Sequence, residues 1–219
     1  MEENLTKECF FSLLDEACSA IEGDSLMEEH GRYVYTVTAP EKKEIPSSDD
    51  ISSCHRCDAC FSRRIYAEPI IGSKASFLFV LPFPEGDTLL SSEAYAYYTK
   101  WIAAMGWEMK DAALSCLVKC PLKSFSRETA DTCKDYLRSE MKRINPRAVI
   151  LLGEDCARYM LRRSYDFDSL RLHTYRINGI PSFCTYTPSA LVRDRSLRVK
   201  IWEDLKYIRD EVKKTGGDS

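Results

Sequence analysis

The sequence predicts an α/β fold: a mostly parallel sheet with helices on both faces. Three observations carry this. Short apolar runs at "SFLFVL" (76–81), "AALSCLVKC" (112–120) and "RAVILLG" (147–153) suit strands buried on both faces. Stretches of helical period and length separate them. The 219 residues, 44% hydrophobic and 30% charged, suffice for one full core and have an ordinary globular composition.

The elements follow in order. Leu5, Phe10, Leu13, Leu14, Ala17 and Ile21 recur near helical spacing, which predicts a packing helix over residues 1–22. Residues 23–53 include "APEKKEIPSSDDISS", rich in Pro, Ser and charge, and read as a linker. The first strand, 76–81, leads into "SSEAYAYYTKWIAAMG", a helix with serine before it and Gly106 placed for a C-terminal cap. After the second strand, "SRETADTCKDYLRSEMKRI" reads as a helix with Ser126 as N-cap and Pro146 beyond its end. The third strand precedes a short helix, "EDCARYMLRR". "RLHTYRINGIPSFCTYT" reads as a hairpin around Asn178-Gly179, a favoured two-residue turn. "LRVKIWEDLKYIRDEVKK" closes a domain placed at 54–212, with 213–219 as a disordered tail. The expected architecture is a three-layer α/β/α sandwich with a four-stranded, mainly parallel sheet. Such sheets bind ligands at the carboxyl ends of their strands. That directs attention to "LPFPEG", "CPLKSFSR" and "YTPSAL".

The net charge of −3 excludes a globally basic nucleic-acid binder, so a nucleic-acid partner must be met by a local patch. No run approaches the roughly 20 apolar residues of a membrane span, so no membrane partner is expected. The start, "MEENLTKECFF", is acidic and unlike a signal peptide. The expected location is cytoplasmic. Ten cysteines in a reducing compartment argue for metal binding over disulfides.

Cys54 and Cys57 form C-x2-C, Cys120 ends the second strand, and Cys133 lies in the following helix. A zinc ribbon needs a second close pair, and there is none. A thioredoxin-like pair belongs at a strand-to-helix turn, whereas this one follows a polar stretch. Four scattered thiolates suit an iron–sulfur cluster, although the spacing alone leaves zinc or an empty site open.

With these motifs the sequence resembles the iron–sulfur (type 4) class of the uracil-DNA glycosylase superfamily. The resemblance covers roughly residues 50–207. It rests on C-x2-C-x2-C-x2-R at Cys54–Arg63, on "LVKCPL" followed by "CKDYL", on "INPRAVILLGEDCARYML" and on "GIPSFCTYTPSALVRD". It implies a [4Fe–4S] cluster on Cys54, Cys57, Cys120 and Cys133, with Cys60 not a ligand. It also implies DNA, single-stranded or damaged duplex, as partner. Cys9, Cys18, Cys116, Cys156 and Cys184 read as small buried hydrophobes.

The same resemblance exposes departures at the chemistry. Pro82 stands where the family's water-positioning Glu belongs, and it offers neither carboxylate nor N–H. Cys116 replaces an Asn that reads the uracil edge, and a thiol lacks an amide's paired donor and acceptor. Thr187 replaces the His that stabilises the leaving base. A family Phe that stacks on uracil has no counterpart beyond Tyr95, Tyr97 and Tyr98. The weak substitutes are Glu85, Asp87 and His173. Lys119, Lys123, Arg127, Arg193, Arg195 and Arg198 are the candidate phosphate contacts, with Arg63, Arg64 and Lys200 nearby. The expected function is DNA binding in DNA repair, with uracil excision lost, weakened or redirected to another base. The alternatives are an active glycosylase with non-standard residues and a non-enzymatic, cluster-stapled domain for an unidentified protein partner.

Overall fold

The computed structural model describes residues 24–29, 32–37, 51, 54–62, 66 and 68–216. Its strands are β1 (Asp24–Glu29), β2 (Arg32–Val37), β3 (Ile70–Ile71), β4 (Phe77–Leu81), β5 (Ala112–Cys116), β6 (Ala148–Leu152), β7 (Tyr175–Ile177) and β8 (Ile180–Thr185). Its helices are α1 (Ala59–Ser62), α2 (Ser92–Ala104), α3 (Arg127–Ile144), α4 (Glu154–Leu161), α5 (Phe167–Leu170), α6 (Pro188–Arg193) and α7 (Arg198–Gly216).

The strands form one sheet in the order β1-β2-β7-β8-β6-β4-β5-β3. The expected four-stranded, mainly parallel sheet corresponds to its centre, where β8, β6, β4 and β5 pair in parallel. The sheet is wider than four strands because antiparallel or reversed segments extend both edges. β3 adds to β5, and the predicted hairpin adds β7 to β8. Asn178 and Gly179 take φ of 51° and 81°, the left-handed pair that a two-residue turn requires. β1 and β2 then pair with each other and, through β2, with β7. The stretch expected to be a linker, 23–53, therefore holds the antiparallel strands β1 and β2. Of the expected tail at 213–219, residues 213–216 lie in α7. The helix expected over 1–22 lies outside the described residues.

The alternation of side chains on buried strands sorts the core into two layers. Phe77, Phe79 and Leu81 of β4 face α2, α6 and α7, in a layer that includes Tyr98, Trp101, Leu191, Ile201 and Leu205. Leu78 and Val80 face α3 and α4, against Leu137, Met141 and Leu161. This is the expected three-layer sandwich. Helix starts follow the sequence signals: the Ser91 and Ser126 hydroxyls accept from Ala94 and Thr129 N–H at 3.3 Å each. Gly106 adopts φ of 79° after α2, and Asn145 takes φ of 47° at the end of α3, just before Pro146. Among the described residues no helix is long and apolar enough to cross a membrane.

Candidate functional site

The three parallel-strand exits bring Pro82, Cys116 and Thr187 to one end of the sheet. Leu81 of β4 sits opposite Cys116 of β5, and the pairing continues when Leu117 and Val118 N–H donate to the Leu81 and Pro82 carbonyls at 2.8 and 3.0 Å. Cys116 is wholly buried, and burial pushes its thiol up to about 12, so it is a neutral thiol at pH 7. Thr187 is the N-cap of α6, its Oγ accepting from Ala190 N–H at 3.0 Å. Its methyl closes on the β6–α4 turn: a Cβ on Gly153, where φ is 86°, would lie 2.8 Å from Thr187 Cγ2.

The substitute groups are engaged elsewhere or face solvent. Glu85 Oε2 accepts from Ser91 N–H at 3.0 Å and so ties the loop to the start of α2. Asp87 is exposed. His173 is exposed at the start of β7, with Nδ1 2.8 Å from the Arg171 carbonyl, which fixes the proton on Nδ1. Of the three tyrosines, Tyr98 is fully buried and packs edge-on against Phe79 at 5.3 Å, a core role. Tyr95 packs beside it, and Tyr97 lies under the Lys100 ammonium at 5.6 Å.

The four cysteines expected as ligands fall into two packing groups, Cys54 with Cys133 and Cys57 with Cys120. Cys54 packs against buried Cys133 and Tyr136, whose hydroxyl hydrogen-bonds the Cys54 sulfur. Cys57 packs against a buried group containing Ala59, Cys60 and Cys120. Burial pushes the Cys133 thiol up to about 11, and the nearby Cys120 and Cys57 add to this. The Lys119 backbone N–H opposes it, 3.4 Å from Cys133 Sγ. Among the described residues no group of three or more His, Cys, Asp or Glu side chains is arranged to hold a single metal ion. A four-iron cube is wider than one ion, and an all-thiol set drawn from three segments suits its chemistry. Cys60 is buried within the same assembly, its sulfur 3.9 Å from His55 Nδ1.

The candidate phosphate contacts divide. Lys123, Arg127, Arg193, Arg195 and Arg198 are exposed. Lys119 is not, and that expectation is corrected: it is 1% exposed, and its ammonium lies 2.7 Å from both Glu140 and Ser115 Oγ. A buried, paired lysine cannot reach phosphate. Arg195 and Arg198 line a cavity of about 500 Å³ together with Tyr97, Lys100 and Trp101. Of its two aromatics, Tyr97 is half-buried and Trp101 belongs to the core. Arg63 and Arg64 lie outside the described residues.

Comparison with known proteins decides the family. The family model described as the Uracil DNA glycosylase superfamily matches residues 94–206, more than half the chain. The chain belongs to the uracil DNA glycosylase superfamily. It is 24% identical over 178 residues to a type-4 uracil-DNA glycosylase of Archaeoglobus fulgidus, covering 73% of this chain and 88% of the relative. It is 23% identical over 180 residues to a type-4 uracil-DNA glycosylase of Saccharolobus solfataricus, covering 74% and 83%.

This member of the uracil DNA glycosylase superfamily holds its last site loop with a network that sequence reasoning missed. Thr185 Oγ donates to Asp204 at 2.7 Å, and Asp204 takes Arg171 Nε through both oxygens at 3.0 and 2.9 Å. Tyr186 donates to Asp168 at 2.6 Å, and Arg171 and Lys200 converge on that carboxylate. The loop 185–187 is thus clamped to α5 and α7. No linear motif joins positions 19 to 33 residues apart. Ser189, the second residue of α6, has a buried hydroxyl with no hydrogen-bond partner among the described residues, so it retains donor capacity at the site end.

Proposed function

We propose that this superfamily member is a DNA-binding repair protein that carries a [4Fe–4S] cluster and in which ordinary uracil excision is lost, weakened or redirected to another base. One observation carries the reading: the three sheet-end positions hold a proline, a buried neutral thiol and a helix-capping threonine. None is a general base that could activate water at pH 7, and none offers the carboxylate, amide or imidazole expected at these positions. Glu85 is committed to the backbone of Ser91, which argues against its substituting for a missing carboxylate. The cysteine assembly supports the cofactor: Cys54, Cys57, Cys120 and Cys133 would hold it. Bound there, a cluster would cross-link segment 54–57, the loop after β5 and α3 through these four thiolates. The exposed arginines around α6 and the aromatic-lined cavity support DNA as partner.

The test uses protein purified without oxygen. It should be brown, carry about four irons, bind oligonucleotides and release little uracil from a U:G duplex or single strand. Cys133→Ala should lose the colour and Cys60→Ala should keep it. Colourless, zinc-containing protein would remove the cluster from this reading, and rapid uracil release would remove the loss of activity. A panel of other deaminated and damaged bases separates lost from redirected chemistry.

A further inference from the structure

A second cavity, of about 310 Å³, lies between α3 and α4 on the sheet face away from α7. Its floor is apolar and includes Leu137, Met141, Met160 and Ile177. Its rim is cationic: Arg127, Lys134, Arg138 and Arg162 face the single carboxylate Asp131. Lys134 and Arg138 are partly neutralised by Asp131 and Asp135, each at 3.1 Å. Arg127 lies 6.0 Å over the Tyr159 ring, and neither it nor Arg162 makes an ion pair among the described residues. In a chain of net charge −3 this is a marked local excess of positive charge. Arg162 also adopts φ of 53° as the cap of α4. An arginine in that left-handed region costs about 1 kcal/mol or more relative to glycine, a strain that points to a use for the side chain.

The sheet register shows what can reach this groove. Ile177 pairs with Val37, and Val37 pairs with Asp24. The chain therefore enters β1 level with Ile177 and only about 10 Å away, two strand spacings. The preceding residues 1–23 complement the groove. Phe10, Leu13, Leu14, Ala17 and Ile21 fall on one stripe at helical spacing, with Glu16 and Glu22 flanking it. The segment carries Glu2, Glu3, Glu8, Asp15, Glu16 and Glu22 against Lys7 alone. As a helix, residues 5–21 measure about 25 Å, comparable with the roughly 21 Å of α3 between Arg127 and Met141.

We propose that the groove between α3 and α4 is the intramolecular docking site for this chain's own acidic, amphipathic segment 5–21. The apolar stripe covers the methionine-rich floor, and the flanking carboxylates meet Arg127 and Arg162. Helix-in-groove recognition with a charged rim has this form. The inference is independent of whether the protein excises uracil.

Hydrogen exchange on the full-length protein tests it. Amides of 5–21 should exchange slowly. In the double variant Arg127→Glu, Arg162→Glu they should exchange about tenfold faster or more, while β4 and β6 stay protected. Adding Glu16→Lys and Glu22→Lys to that variant should restore protection. Arg162→Gly alone should speed exchange in 5–21 without lowering the unfolding midpoint, because glycine suits the cap. Exchange of 5–21 at the rate of an unstructured chain, or slow exchange indifferent to the rim charges, would overturn the proposal. Protection that rises with protein concentration would assign the segment to a second copy and overturn the intramolecular form.

Discussion

Lys119 illustrates how burial changes the meaning of a charged residue. Beside Cys120 in the sequence it reads as one more cation near a DNA surface. In the fold it joins Ser115 to Glu140, and Ser115 itself bonds that carboxylate at 2.5 Å. The cysteines beside it stand out in the sequence because four thiols at these positions have few uses, whereas Glu140 is an ordinary glutamate within an amphipathic helix pattern. Removing one partner of such a pair strands the other charge. Lys119→Met should therefore cost about 3–5 kcal/mol in urea unfolding, and Lys119→Met with Glu140→Leu should recover most of it. Asp168 gives a test in pH. The Lys200 hydrogen bond, then that from Tyr186, holds its carboxyl well below the ordinary range. Its folded pKa lies below the unfolded value of about 3.9, so its contribution is present above that value and lost as pH falls through the folded pKa. Asp168→Asn should lower the unfolding midpoint at pH 7 and flatten its decline below about pH 4. An unchanged acid limb would show that the clamp adds nothing to stability.

At the scale of elements, local chemistry was legible wherever one residue decides an end. Ser91 and Ser126 cap as their types require, and Asn178-Gly179 makes the turn that joins β7 to β8. The hairpin β1–β2 escaped because Pro, Ser and charge from residue 39 onward dominate the composition of 23–53. Yet "RYVYTV" at 32–37 has the β-branched and aromatic content of a strand. Short α1 and α5 escaped because four residues carry no period. Thr187 was legible as a departure from a family pattern but not as a structural part, because capping depends on the turn that follows. Thr187→Ala should cost about 1 kcal/mol through loss of the cap on α6, and Thr187→Ser should cost little. The same capping role means that Thr187→His cannot be a simple gain. It introduces an imidazole where the family has one, removes the cap, and must fit a side chain beside Gly153. Thermal unfolding of the three variants measures this cost separately from any uracil release.

For the whole molecule, the distribution of charge matters more than its sum. The chain is net acidic, so long-range attraction to DNA is weak, and the proposed binding would rest on the arginines gathered where α6 meets α7. Arg195 and Arg198 line one cavity with Tyr97 and Trp101, while Arg193 is exposed at the end of α6. If each neutralises one phosphate of a single strand, the logarithm of the binding constant should fall with the logarithm of salt concentration at a slope of about −2, from three contacts at roughly −0.7 each. Arg195→Ala should reduce that slope by about 0.7 and weaken all sequences alike, since phosphate contacts carry no base information. Tyr97→Leu should weaken binding by about 1–3 kcal/mol while leaving the slope unchanged, because stacking releases no counterions. Trp101 lines the same cavity but is only 5% exposed and belongs to the core, so it offers no face to a base. Fluorescence titrations of an oligothymidine across salt concentrations separate the two effects. A slope near zero in the unmodified protein would mean that these arginines meet solvent rather than DNA.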